Sequence, residues 1–118
     1  MASHNQLGKD AEQLAVDFLS EKGYEILHRN WRHSHYEIDI VAKKNELLRI
    51  VEVKALKSVG VNFPEQGVTK KKFRYLLNAA DEFLFQNPQY RHVQFDILSV
   101  TMHPVKEPEF FLIEDVFL

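Results

Sequence analysis

Cysteine is absent from the 118 residues. Disulfides, thiolate zinc sites and cysteine nucleophiles are therefore excluded together, and the chain suits a reducing compartment. Long hydrophobic runs are missing as well. No apolar stretch approaches the ~20 residues that a bilayer demands, and the opening segment MASHNQLGKD has no apolar signal core. These absences predict a cytoplasmic protein with no membrane partner. Glycine and proline number only four each, which excludes collagenous or low-complexity sequence, and no internal repeat stands out. The patterns G-x-x-x-x-G-K-[ST], G-x-G-x-x-G and G-x-S-x-G do not occur, which sets aside P-loop hydrolysis, dinucleotide redox chemistry and α/β-hydrolase catalysis. A strong net charge is lacking too: at -2 the chain does not coat nucleic acid by bulk attraction, and any basic face must be local.

What is present is an apolar content of 45%, enough for one core and not for two, so a single domain spanning residues 1–118 is expected. Leu7, Ala11, Leu14, Ala15, Phe18 and Leu19 recur at helical spacing and predict a helix over residues 5–22, with Gly23 as its left-handed terminator. Tyr24–Arg29 reads as a short strand followed by a polar loop, Asn30-Trp31-Arg32-His33-Ser34-His35. Tyr36–Ala42 and Leu47–Ala55 read as a hairpin, and residues 55–68 as a loop holding Gly60, Pro64 and Gly67. Thr69 suits the N-cap of a second helix carrying Phe73, Leu76, Leu77, Ala80, Phe83 and Leu84 on one stripe before Asn87-Pro88 ends it. Val93–Val100 is a further strand and Phe110–Phe117 a tail strand. The order α-β-β-β-α-β plus a tail strand, with hairpin strands apolar on both faces, predicts an α/β mixed sheet flanked by helices.

Chemistry concentrates in the hairpin. Residues two apart on a strand share a face, so Glu52 and Lys54 project together while Val51 and Val53 point to the other layer. A turn through Lys44-Asn45 sets Asp39 opposite Ile50 and diagonal to Glu52, on the same face and about 7–8 Å from it. Glu37 shares that face. An E-x-K triplet alone is more often an ion pair on an exposed strand. Here it interrupts the run Ile50-Val51-Glu52-Val53, where an unbalanced charge is expensive to bury. Hard oxygen ligands without sulfur favour Mg²⁺ or Mn²⁺ over zinc or copper. Asp39 and Glu52 are candidate metal ligands, and Lys54 is a candidate for orienting water or stabilising negative charge on a phosphodiester. The six histidines include no H-E-x-x-H, and His33-Ser34-His35 lacks a third ligand.

Lys70, Lys71, Lys72 and Arg74 fall in the first turns of the second helix, where positive charge opposes the macrodipole. Phosphate contact would explain them; a solvated face would equally. Arg29, Arg32 and Lys57 are candidates to extend that nucleic-acid-binding surface. Trp31 reads as a hydrophobic plug in preference to a base-stacking platform, and Phe73 and Phe83 as core. Glu12 flanks the apolar stripe of the first helix and is either a solvated carboxylate or one leaning over the sheet edge toward the site.

An aspartate, a dozen residues, then E-x-K across a hairpin, behind a helix with an inward glutamate, resembles the PD-(D/E)xK restriction-endonuclease-like superfamily, whose core has the same element order. More closely, the chain resembles the YraN-like family of small bacterial proteins. That likeness covers about residues 7–100 and rests on Gly8-Lys9-Asp10-Ala11-Glu12, Ala15, Phe18-Leu19, Gly23-Tyr24, Ile26-Leu27, Arg29-Asn30-Trp31-Arg32, Glu37-Ile38-Asp39-Ile40-Val41-Ala42, Val51-Glu52-Val53-Lys54, Val68-Thr69, Lys72 and Phe95-Asp96. The resemblance implies a nuclease fold similar to archaeal Holliday-junction resolvases, with Glu12, Asp39, Glu52 and Lys54 at its acidic and lysine positions and Glu12 beside the metal. The chain departs from the family pattern at Tyr36, where glycine is usual, at Ala11, also usually glycine, and at Ala55-Leu56, usually Thr-Arg.

The expectation is a metal-dependent endonuclease that hydrolyses phosphodiesters in DNA, branched or damaged DNA included, and by analogy works as a homodimer. Two alternatives stand beside it: a nucleic-acid-binding module with a nuclease-like fold and no turnover, and a protein-interaction domain contacting partners through its acidic tail.

Overall fold

The computed structural model describes residues 4–57 and 69–116. The elements run α1 (His4–Glu21), β1 (Glu25–His33), β2 (Tyr36–Lys44), β3 (Leu47–Lys57), α2 (Lys70–Gln86), β4 (Val93–Met102) and β5 (Glu109–Ile113). The strands form one sheet in sequential order, antiparallel except where β3 pairs with β4 in parallel across the α2 connection. This is the expected mixed sheet flanked by helices.

Strand alternation assigns the two faces. Val51 packs with Ala11, Ala15 and Leu19 of α1. Its neighbour Ile50 packs with Ala79, Ala80 and Phe83 of α2. The small Ala11 and Ala15, fully buried, let α1 lie close over β3 and β4. Gly23, at φ 93°, takes the left-handed conformation that ends α1 cheaply. Thr69 caps α2 as expected, its hydroxyl accepting from Lys72 N at 3.1 Å.

Several boundaries differ from the sequence reading. β1 does not stop at Arg29: Asn30-Trp31-Arg32-His33 continue the strand, and only Ser34-His35 turn. The segment is polar, yet Trp31 sets its ring edge-on to Phe83 at 5.4 Å, which draws the strand against α2 and makes Trp31 a plug. Ala55–Lys57 extend β3; the rest of the predicted loop, residues 58–68, lies outside the described residues. On α2, Leu77 is exposed and Ala79 buried, because the stripe follows Phe73, Leu76, Ala80 and Phe83 around the helix. The tail strand is Glu109–Ile113; residue 117 of the predicted strand lies outside the described residues.

The acidic tail also turns inward. Glu114 Oε2 lies 2.7 Å from the Tyr24 hydroxyl, and Asp115 accepts from Arg49 Nη1 at 2.7 Å. The Asp115 amide also donates to the buried Asp96 at 3.0 Å, which Tyr24 and Arg49 reach as well, at 2.8 and 3.1 Å. Burial pushes the Asp96 carboxyl up, against the pull of the Asp115 amide, Tyr24 and Arg49. This polar cluster locks the segment after β5 to the sheet, so Glu114 and Asp115 are structural contacts and not a free acidic surface.

The β2–β3 turn consists of Asn45 and Glu46, both left-handed at φ 53° and 65°, the twist-matched geometry that favours Asn-Gly. Glutamate is strained there, and its ion pair with Lys43 at 3.2 Å is too exposed to compensate. Glu46→Gly should raise stability by about 0.5–1 kcal/mol in urea unfolding; a loss of stability would count against strain at this turn.

Candidate functional site

That turn fixes the site. Because the loop is Asn45-Glu46 and not Lys44-Asn45, Val41 pairs with Ile50 and Ile40 with Val51. The predicted pairing of Asp39 with Ile50 is therefore wrong by two residues, and the next step along the ladder sets Asp39 level with Glu52. An even shift leaves faces unchanged, so the two carboxylates meet more closely than the sequence implied. The β2–β3 ladder ends at Ile40 and Val51 although both strands continue, and Asp39 fills the fork: its Oδ2 accepts from Val53 N at 2.9 Å. The aspartate thus replaces a lost backbone partner, which holds its carboxylate at the strand divergence.

The pair is costly. Glu52 is buried, and burial together with the neighbouring Asp39 charge raises its carboxyl to about 7. Burial also pushes Asp39 up, opposed by the Val53 amide and Lys72 and reinforced by Glu37 and Glu12. Lys54, two residues beyond Glu52 on the same face, helps hold Glu52 charged, as does Lys72. Lys72 stands closest of the described cations, its Nζ 3.8 Å from Glu52 Oε1 and 4.9 Å from the centre of the Tyr75 ring.

Glu12 reaches the same place from α1. With Glu37, Asp39, Val53 and Ala55 it lines a cavity of about 490 Å³ whose wall includes Gly8, Lys9, Asn30 and Arg32. Asn30 takes a left-handed conformation within β1, φ 53°, which asparagine tolerates, and donates from Nδ2 to Glu12 Oε1 at 2.7 Å. Arg29 Nε approaches the same oxygen at 3.4 Å. Glu12 is therefore an oriented carboxylate at the cavity wall.

Asp39 and Glu12 thus share one cavity, while Glu52, which does not line it, meets Asp39, Lys72 and Lys54, and the basic residues divide. Lys72 joins the carboxylates. Arg32 borders the cavity and pairs with Glu37 at 3.4 Å. Arg29 is engaged at α1 by Glu12 and by Gln13 at 3.0 Å. Lys57, Lys70 and Arg74 are exposed, and no described contact ties them to the carboxylates. Tyr75 was not anticipated: its hydroxyl accepts from Glu37 N at 2.7 Å and donates to His35 O at 2.9 Å, bracing α2 against the start of β2. Tyr36, the departure from family glycine, packs its ring 5.6 Å from that of Tyr75. Ser99, level with Lys54 in the parallel ladder, is buried with no hydrogen-bond partner for its hydroxyl among the described residues. Nothing in the sequence marks either residue.

The profile of a family described as "Uncharacterised protein family UPF0102" matches residues 11–100. The chain belongs to the UPF0102 family. It is 42% identical over 114 residues to UPF0102 protein FP2501 of Flavobacterium psychrophilum, covering 97% of this chain and 92% of that one. It is 48% identical over 102 residues to UPF0102 protein BF0634 of Bacteroides fragilis, covering 85% and 83%. A UPF0102 protein of Chlorobium phaeobacteroides is 36% identical over 106 residues, 89% of this chain and 84% of its own. The family match contains Asp39, Glu52, Lys54, Lys72 and Glu12. No described helix is long and apolar enough to cross a membrane.

Among the described residues no group of three or more His, Cys, Asp or Glu side chains is preassembled to hold a metal. Mg²⁺ commonly takes one or two protein carboxylates and keeps several waters. Half-buried Asp39 and buried Glu52 are two neighbouring oxygen donors of the kind such an ion takes.

The raised Glu52 carboxyl carries a pH signature. Its folded value, about 7, lies above its unfolded value, so the folded state binds more protons between them and stability falls as pH rises through that window. Glu52→Gln removes the penalty. The variant should gain up to about 3 kcal/mol over the parent in urea unfolding at pH 8 and nothing below pH 4. Equal gains at both pH values would contradict a buried charge as the cause.

Proposed function

We propose that this UPF0102 protein is a divalent-metal-dependent endonuclease of the PD-(D/E)xK, restriction-endonuclease-like kind, hydrolysing phosphodiester bonds in DNA, with branched or damaged DNA as the expected substrate. The observation that carries this reading is the placement of Asp39 and Glu52 side by side at the fork of β2 and β3 with Lys54 on the same face. The likeness of residues 7–100 to a family whose core order and acidic and lysine positions are those of resolvase-like nucleases supports it.

Asp39 and Glu52 would hold the metal, Mg²⁺ or Mn²⁺, with Glu12 on the cavity that Asp39 lines. When bound, such an ion acidifies a water and neutralises a phosphate oxygen. The chain's own residues do the rest. The Val53 amide fixes Asp39 in one orientation, so the donor is in place before substrate arrives. Lys54 and Lys72 bring positive charge to the point where a phosphodiester gains negative charge in the transition state. Asn30 holds Glu12 toward the cavity. Arg32 at the cavity edge and exposed Lys57, Lys70 and Arg74 are suited to neighbouring phosphates, while Arg29 is suited only by leaving Glu12. Symmetric cutting of a junction needs two sites, so a homodimer belongs to this reading.

The second reading, a nucleic-acid-binding module without turnover, draws on Ala55, which puts an apolar wall in the cavity beside Lys54. One experiment separates the two. Linear, single-stranded and four-way-junction DNA are incubated with purified protein in Mg²⁺ or Mn²⁺, beside Asp39→Ala and Lys54→Ala. Cleavage by the parent with a loss of about 100-fold or more in both variants is expected. Equal cleavage by all three assigns the activity elsewhere, and binding that weakens with salt but never cuts favours the module.

A further inference from the structure

Lys72 occupies an unusual place for a residue of a helix's first turn. Basic side chains there oppose the helix dipole, and Lys70, Lys71 and Arg74 accordingly point to solvent. Lys72 instead folds its ammonium back to 3.8 Å from Glu52 Oε1 and pulls down both the Glu52 and Asp39 carboxyls. A poorly solvated carboxylate pair needs a counter-charge, and in the protein alone Lys72 makes the nearest contact, with Lys54 assisting at Glu52. A divalent cation held by the same two carboxylates would neutralise them more completely and would repel an ammonium that close.

Lys72 also has somewhere else to go. Its Nζ already lies over the Tyr75 ring at 4.9 Å, and with Thr69, Lys71 and Tyr75 it lines an open cavity of about 310 Å³ whose wall does not include Glu52. A rotation of its flexible stem keeps the cation–π contact while vacating the carboxylates. We propose that Lys72 is the resident counter-ion of the Asp39–Glu52 pair, occupying the charge position of a divalent cation and displaced toward Tyr75 when the cation enters. This inference rests on the metal-dependent reading above. It makes cation uptake an exchange of charges, with the released ammonium available to a substrate phosphate.

The test is Mn²⁺ binding to the full-length, metal-free protein without nucleic acid, followed by the electron paramagnetic resonance of free Mn²⁺. Lys72→Met, which keeps the aliphatic stem, should bind Mn²⁺ about five- to tenfold more tightly than the parent. Lys71→Met changes the net charge equally but should stay within about twofold, and Lys72→Arg should bind no more tightly than the parent. Adding Glu52→Gln to Lys72→Met should abolish binding and so locate the ion. If the parent binds Mn²⁺ and Lys72→Met binds equally or more weakly, the counter-ion role is overturned while the metal-dependent reading stands. If neither binds, both fall. Binding by Lys72→Met alone establishes the competition in its strongest form.

Discussion

The structure turns on the mutual repulsion of two carboxylates placed side by side in a poorly solvated fork. Asp39 and Glu52 each lose hydration and each raise the other's proton affinity, an arrangement that costs stability unless positive charge balances it. Folding tolerates it because the surroundings are over-determined. Asp39 replaces a missing ladder bond to Val53, and apolar residues on both sheet faces anchor the two strands up to the fork.

The remaining elements serve that fork in distinct ways. α1 lies close to the sheet through Ala11 and Ala15 and brings Glu12 to the cavity wall, where the left-handed Asn30 meets it. α2 directs its N-terminal turn at the carboxylates, and the Tyr75 hydroxyl ties that turn to the backbone at His35 and Glu37. At the other end of the α1 layer, Tyr24, Arg49, Asp96, Glu114 and Asp115 consume their charges on one another. The two polar clusters thus differ in kind: one pairs opposite charges internally and fastens the segment after β5, the other holds an excess of like charge open to a cavity.

Much of this was legible before any coordinates. Helical periodicity located both helices, the Thr69 cap and the Gly23 terminator, and period-2 alternation separated Val51 and Val53 from Glu52 and Lys54. Polar segments were where reading failed. Asn30-Trp31-Arg32-His33 scans as a loop because its only strong apolar residue, Trp31, packs on Phe83, a residue far away in sequence. Glu114 and Asp115 scan as a solvated tail because their partners Tyr24 and Arg49 are distant as well. The hairpin turn was misplaced by one residue because Lys44-Asn45 and Asn45-Glu46 are both plausible pairs, and Glu46 carries no local signal for the left-handed conformation it adopts.

The sequence by itself determined the element order, the mixed α/β architecture and the shared strand face of Glu52 and Lys54, since these follow from local periodicity and strand parity. The register that sets Asp39 level with Glu52, the approach of Lys72 to that pair, the orientation of Glu12 by Asn30 and the bracing by Tyr75 were decided only in three dimensions. Each depends on how far one packed element slides or rotates against another, and that displacement is fixed by contacts between residues remote in the chain.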